Sequence, residues 1–237
     1  MKKKNLQNFI LLIVSVIIIC GGCANRHAVF PKVNKWISIT FNDGPSGNTE
    51  YFLDIMKNND MRATFFVNGF NFEREIYKDV IQRMIDEGHE IAHSAYTALD
   101  LGVETNRQPI RENIRRAQDL VRDVTGRENK YFRPYQLNRN NYVDDVVHEL
   151  GLVYIGGYNT NDWDYDVGPS SIIENVLKNA RNGHIIILHD FGNNNTVEAF
   201  ADLVWELRKK GFGFITVSEL IQRNRANPIP GRWYDRF

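Results

Sequence analysis

Cysteine is confined to the first 23 residues of this chain. Cys20 and Cys23 are the only two in 237 residues. The body downstream therefore has no disulfide and no thiolate metal site, and must draw its stability from a core. Neither sign of charge dominates, with 29 basic and 29 acidic side chains. That balance removes the electrostatic case for nucleic acid or an anionic membrane surface as partner. No repeat of 20–50 residues is present, and the only low-complexity stretch is Asn193-Asn194-Asn195. The length suits one large domain with a substantial core.

The amino terminus departs from this even composition. Lys2, Lys3 and Lys4 precede a nearly unbroken apolar run, Phe9 to Cys20, and then Gly21-Gly22-Cys23-Ala24. Such a run is shorter than the roughly 20 residues a membrane-spanning helix needs and suits a signal-peptide core. Small residues before a cysteine resemble a lipoprotein signal, with Cys23 as the lipidated first residue. Cys20 stands where that signal usually has an aliphatic residue, so an ordinary secretory signal or a short uncleaved anchor is the other reading. All these readings place the domain outside the cytoplasm, touching membrane only through an N-terminal lipid or anchor. The expected division is signal peptide 1–23, linker 24–34, domain 35–225 and C-terminal tail 226–237.

Strand-length apolar runs then alternate with amphipathic stretches of helix length. Trp36 to Phe41 alternates with period two and is rich in β-formers, which predicts a strand. Strands are also expected at 63–67, 153–155, 184–188 and 212–217. Helices are expected at 48–57, 73–87, 110–124, 143–150, 172–180 and 197–209, with Gly88 placed to stop the second. Repeated β-then-α units imply an α/β fold with a mainly parallel sheet or barrel and right-handed crossovers. Functional residues in such folds gather beyond the carboxyl ends of the strands.

Several motifs fall at such ends. Thr40-Phe41-Asn42-Asp43-Gly44-Pro45 follows the first strand and resembles the T-F-D-D-G-P signature of the polysaccharide deacetylases. Ala63 to Gly69, Gly88-His89-Glu90-Ile91, Phe132-Arg133-Pro134-Tyr135, Asn159-Thr160-Asn161-Asp162-Trp163, Ile187-Leu188-His189-Asp190 and Phe214 to Leu220 resemble that family's later motifs in order. The resemblance covers residues 35 to 222 and implies a distorted (β/α) barrel of seven or eight mostly parallel strands.

It also implies a chemistry: removal of N-acetyl groups from chitin or peptidoglycan sugars by a divalent metal, usually zinc, held by one Asp and two His. On that pattern Asp43 takes the metal-Asp position and Asn42 the position of the general base. An amide accepts no proton at useful pH, so the base is lost. Ungapped alignment puts Ser94 and Ala98 where the metal histidines belong. A one-residue slip brings His93 into place but leaves Thr97 four residues on. No metal cofactor is therefore expected, with zinc required only if the site is active. Arg133 matches the arginine that orients the base, Asn159 replaces the Asp that tunes the catalytic histidine, and His189 matches that histidine, the acid if active. Tyr135, Trp163 and Leu188 fall at substrate-wall positions.

Other signals compete. His89-Glu90-Ile91-Ala92-His93 matches H-E-x-x-H, which binds zinc only on a helix; along a strand the two histidines stand about 13 Å apart. His27, His148 and His184 have no partner at ligand spacing, and Asn194-Asn195-Thr196 is a sequon that matters only in a secreted eukaryotic protein. Phe65, Phe66, Phe70 and Phe72 are expected in core and loop packing rather than in a sugar platform. The leading expectation is a cell-surface deacetylase-like protein with impaired catalysis and a surviving groove for cell-wall or chitin-like glycan. One alternative is an active deacetylase whose rearranged site uses Asp43, His93 and His189, with Asp100 or Asp164 as base. Another is a non-enzymatic surface lipoprotein that binds glycan or protein.

Overall fold

The computed structural model describes residues 30–192 and 194–237. The expected signal peptide and most of the linker lie outside the described residues. Among those described, no helix is long and apolar enough to cross a membrane.

In chain order the elements are β1 (Lys35–Asn42), α1 (Thr49–Asn58), β2 (Thr64–Asn68), α2 (Gly69–Phe72), α3 (Lys78–Asp86), β3 (Glu90–Ala95) and α4 (Arg107–Thr125). There follow β4 (Tyr131–Phe132), α5 (Asn141–Glu149), β5 (Val153–Ile155), β6 (Tyr158–Asn159) and α6 (Pro169–Asn179). The last are β7 (Ile185–His189), α7 (Asn194–Lys209), β8 (Phe212–Phe214), α8 (Val217–Arg223) and β9 (Trp233–Tyr234).

Every strand pair is parallel, in the order β6-β7-β1-β2-β3-β4-β5-β9, with β8 also on β1. The sheet curves into a half-barrel jacketed by helices, as the resemblance implied. β1 serves two neighbours along one edge, Lys35–Ile37 pairing with β8 and Thr40–Asn42 with β2, while Ser38–Asn42 pair with β7 along the other. Strand alternation then sorts its side chains. Ile37, Ile39 and Phe41 pack outward with α1 and α7 residues such as Phe52 and Phe200. Ser38, Thr40 and Asn42 face the barrel interior. Pairing puts Asn42 level with Phe66 of β2 and His189 of β7, which assembles the mouth of the barrel.

The boundaries depart from the sequence pattern in a few places, each with a local cause. The strand expected to 217 ends at Phe214 because Thr216 caps α8 in a capping box with Glu219. The helix expected at 73–87 opens as a 3₁₀ turn, Glu75–Tyr77, before α3. Residues 90–95 form β3, so the H-E-x-x-H residues lie on a strand and cannot share a metal.

The stretch 226–237 is not a tail. β9 pairs with β5, and the Gly156 N–H donates to the Tyr234 carbonyl at 2.8 Å. Ile185 N–H then donates to the Asp235 carbonyl (3.3 Å) and Phe237 N–H to the Gly183 carbonyl (2.9 Å). The carboxyl terminus thus bridges β5 and the start of β7. Gly183 is required there, because it has φ +85° and a Cβ would collide with the Phe237 carbonyl. Deleting residues 233–237 is expected to cost about 2 kcal/mol and lower the melting temperature by roughly 4–8 °C. Thermal unfolding followed by circular dichroism measures it; an unchanged midpoint would refute the bridging role.

Candidate functional site

The interior of the barrel mouth is organised by a guanidinium. Arg133 follows β4 directly and is 0% exposed. Its Nε donates to the Ile155 carbonyl and Nη2 to the Gly156 carbonyl, both at 2.8 Å. Nη1 donates to Thr40 Oγ1 (2.8 Å) and Asn42 Oδ1 (2.9 Å), while the guanidinium stacks over Phe66 at 3.9 Å. All four hydrogen-bonded acceptors are neutral. Burial pulls the pKa of Arg133 down to about 9, with Asp43 and Asp235 opposing the drop, so the group stays cationic at neutral pH.

This contact fixes the Asn42 amide. Its oxygen faces Arg133, so its NH2 faces His189 Nε2, 3.4 Å away. His189 Nδ1 in turn lies 2.8 Å from Asp162 Oδ1. The Asp162 carboxylate is fully buried and also accepts from Thr160 Oγ1 (2.9 Å), Thr196 Oγ1 (2.6 Å) and the His189 N–H (2.7 Å). Burial alone would raise its pKa, but the contacts to His189 and Thr196 hold it below the ordinary carboxylate value. An ionised Asp162 accepts a hydrogen bond from His189 Nδ1–H and fixes the orientation of the ring, with Nε2 toward Asn42.

Several expectations need correction here. The residue that orients His189 is Asp162, not Asn159. Asn159 instead accepts from the Asn161 N–H at 3.1 Å and lines the cleft. The replacement at the head of that motif left its second acid, the one in contact, intact. Leu188 does not reach the cleft either: it pairs with Phe41 and shares that residue's outward face in the core, whereas its neighbour Ile187 lines the cleft. Tyr135 and Trp163 line it as expected, with Trp163 53% exposed.

Asp43 sits at the turn after β1 with φ 66°. Its N–H donates to the Phe66 carbonyl (3.2 Å), and its own carbonyl accepts from Asn71 Nδ2 (3.2 Å). Its carboxylate accepts no hydrogen bond among the described residues. Burial raises its pKa, offset in part by His189 and Arg133. Below the turn Asp190 is 1% exposed and accepts from Ser46 Oγ (2.9 Å) and Thr49 Oγ1 (2.6 Å). Burial pushes its pKa up to about 6. Gly44 is obligatory beside it, since a Cβ would collide with the Asp190 carboxylate. The sequence assigned no role to Asp190 or Thr196. The first lay inside a quoted motif, and the second was absorbed into a sequon.

The cleft enclosed by these groups has a volume of about 270 Å³. Asp43 (φ 66°), Gln136 (54°), Leu137 (61°) and Asn161 (56°) line or adjoin it, four non-glycine residues in the left-handed region. Such backbone costs about 1–3 kcal/mol per residue and tends to cluster at built sites. A cavity of about 310 Å³ at the opposite ends of the strands holds His89 and Glu90, but their polar atoms are bonded to Ala63, Thr64 and Ser218. That cavity is structural.

The donor set does not fit a metal. Ser94 faces the interior, but its hydroxyl donates to the Phe66 carbonyl (3.4 Å). Ala98 is exposed and offers no donor atom. His93 pairs with Val67 and Phe132, so it shares their outward face and points away from Asp43. The slipped register is therefore excluded by strand geometry. Asp100 accepts from the Gly102 N–H and Asp164 from the Asp166 N–H, and neither lines the cleft. Among the described residues, no three His, Cys, Asp or Glu side chains converge to hold an ion.

His93 has its own consequence. It is 0% exposed, neither ring nitrogen has a partner, and burial lowers its pKa to about 3. The unfolded chain takes up its proton first, so stability falls as pH drops from 6.5 toward 3, by about 2 kcal/mol at pH 5. His93→Leu is expected to remove that loss and to stabilise the domain more at pH 5 than at pH 7. Urea unfolding at the two pH values decides it; equal effects would contradict a buried neutral ring.

Residues 31–155 match the profile of the polysaccharide deacetylases. The chain is also 32% identical over 203 residues to a peptidoglycan-N-acetylglucosamine deacetylase of Bacillus cereus, covering 81% of this chain and 91% of that protein. The chain belongs to the polysaccharide deacetylase family. A bifunctional xylanase/deacetylase of Pseudobutyrivibrio xylanivorans is 35% identical over 91% of this chain, which spans 36% of that protein's length. A family 4 acetyl xylan esterase from Clostridium thermocellum, solved with a cobalt ion, superposes with a TM-score of 0.79 at 28% identity, covering 85% of this chain and 98% of that one. Deacetylases of this family are metal-dependent, and this member keeps one carboxylate of the expected ligand set.

Proposed function

We propose that this polysaccharide deacetylase-like protein binds glycan at the cell envelope without hydrolysing it. One observation carries the reading. At the base position an amide bridges Arg133 and His189, so no group there can take a proton from water. Among the described residues no second ligand converges on Asp43, so nothing there holds a metal to activate that water in place of a base. What remains suits recognition. The cleft keeps its volume, its strained loops and its Trp163 wall. Phe70, Tyr165 and Phe191, all more than half exposed, follow β2, β6 and β7 at the same end of the barrel. Exposed aromatic faces suit sugar rings, and the peptidoglycan, xylan and chitin named for relatives suggest the ligand class. Of the four phenylalanines expected in packing, Phe70 is the one at the surface.

The N-terminal lysines, apolar run and Cys23 support placement outside the cytoplasm, anchored by lipid. The test is co-sedimentation of the domain from residue 30 with insoluble peptidoglycan and chitin in EDTA. Binding that survives chelation, weakens at least about fivefold in Trp163→Ala and releases no acetate is expected. Failure to bind either glycan would refute the reading.

A further inference from the structure

We propose that the cleft recognises the ammonium group of an N-deacetylated amino sugar, paired with the Asp43 carboxylate where the family places a metal cation. This deepens the glycan-binding reading and rests on it. The argument starts from unmet charge. Three carboxylates, Asp43, Asp162 and Asp190, lie in or under the barrel mouth beside one guanidinium, Arg133, and one imidazole, His189. Asp162 is satisfied by His189, Thr160 and Thr196, and Asp190 by Ser46 and Thr49. Arg133 commits four of its five N–H donors to Thr40, Asn42 and two carbonyls and gives Asp43 no hydrogen bond. Asp43 is left lining the cleft, half-buried, with no hydrogen-bond donor among the described residues. A half-buried anion in that state favours a cationic partner. No metal fits, because Ser94, Ala98 and the outward-facing His93 supply no further ligand.

The neighbouring atoms favour an amine over an acetamide. An ammonium is a donor on every N–H. Asp43 can accept one, and the Asn159 amide oxygen lies along the same cleft. An acetamide would bring a carbonyl oxygen toward the Asp43 carboxylate with neither a metal nor a proton between them. Trp163 supplies an exposed aromatic wall for the ring that carries the amine. The ligand class is therefore a glycan containing free glucosamine-type residues, the product of the reaction that active relatives catalyse.

Calorimetric titration at pH 6 in EDTA compares a fully deacetylated glucosamine tetramer with the same tetramer fully N-acetylated. The deacetylated form is expected to bind at least about tenfold tighter, with an affinity that falls as salt rises. Asp43→Asn, which tolerates the left-handed backbone, is expected to abolish the preference by weakening the deacetylated ligand and relieving the repulsion of the acetylated one. Equal affinities, or a preference for the acetylated tetramer, would overturn this inference and leave glycan binding standing. Binding of neither tetramer would overturn both. The comparison between ligands on the natural chain is decisive even if Asp43→Asn folds poorly.

Discussion

The triple variant Asn42→Asp/Ser94→His/Ala98→His is expected to bind zinc at least about 100-fold more tightly than the natural chain. The expectation follows from how little of the surrounding frame has moved. The Phe66 carbonyl accepts from both the Asp43 N–H and Ser94 Oγ, so an imidazole at position 94 would arise beside Asp43 on the interior face. Position 98 lies past the end of β3 with an exposed side chain, which leaves room for a ring to fold back. An Asp at 42 would enter a place already bounded by Arg133 Nη1 at 2.9 Å and His189 Nε2 at 3.4 Å. The double variant at 94 and 98 separates metal affinity from the base: zinc should bind, and acetate release should still require Asn42→Asp. Titration calorimetry with zinc reads the first effect. A triple variant that folds yet binds no better than the natural chain would mean that the frame, and not only the ligands, has drifted.

The second large effect is on stability. Arg133→Met is expected to destabilise the domain by about 3–5 kcal/mol, which lowers the melting temperature by roughly 6–20 °C. Methionine fills much of the volume but leaves the Ile155 and Gly156 carbonyls, Thr40 Oγ1 and Asn42 Oδ1 without their donor in a dry interior. Arg133→Lys should recover only part of the loss, because one ammonium cannot reach acceptors spread across two strands and a loop. A midpoint within 2 °C of the natural chain for Arg133→Met would refute the keystone role. The arginine thus outlives the carboxylate it would orient in an active enzyme, since four neutral acceptors still depend on it.

Much of this architecture was legible in the sequence because strand and helix periodicities are strong where one face is buried. The segment 36–41 alternates, and its outward Ile37, Ile39 and Phe41 are all core residues. The two-residue strands β4, β6 and β9 carry no periodicity, since two residues cannot show a period. β9 was invisible for a second reason: its partners lie far along the chain at residues 154–155. At the site, losses were easy to read and contacts were not. Asn42, Ser94 and Ala98 are plain substitutions in a motif. Whether Asn159 or Asp162 touches His189 depends on how the loop after β6 turns, with Asn161 at φ 56°. Leu188 faces the core, and the slipped alternative for His93 fails, for one shared reason: a one-residue shift along a strand reverses the face, and motif matching alone does not fix the face.

We propose that the chain keeps the family's fold without its metal-dependent hydrolysis. Zinc and cobalt titration of the natural chain, with acetate release from N-acetylated chitooligosaccharide and peptidoglycan followed in the same samples, tests it most directly. The account predicts no stoichiometric metal binding and no acetate above the protein-free blank. One metal ion bound per chain together with catalytic release of acetate would contradict it.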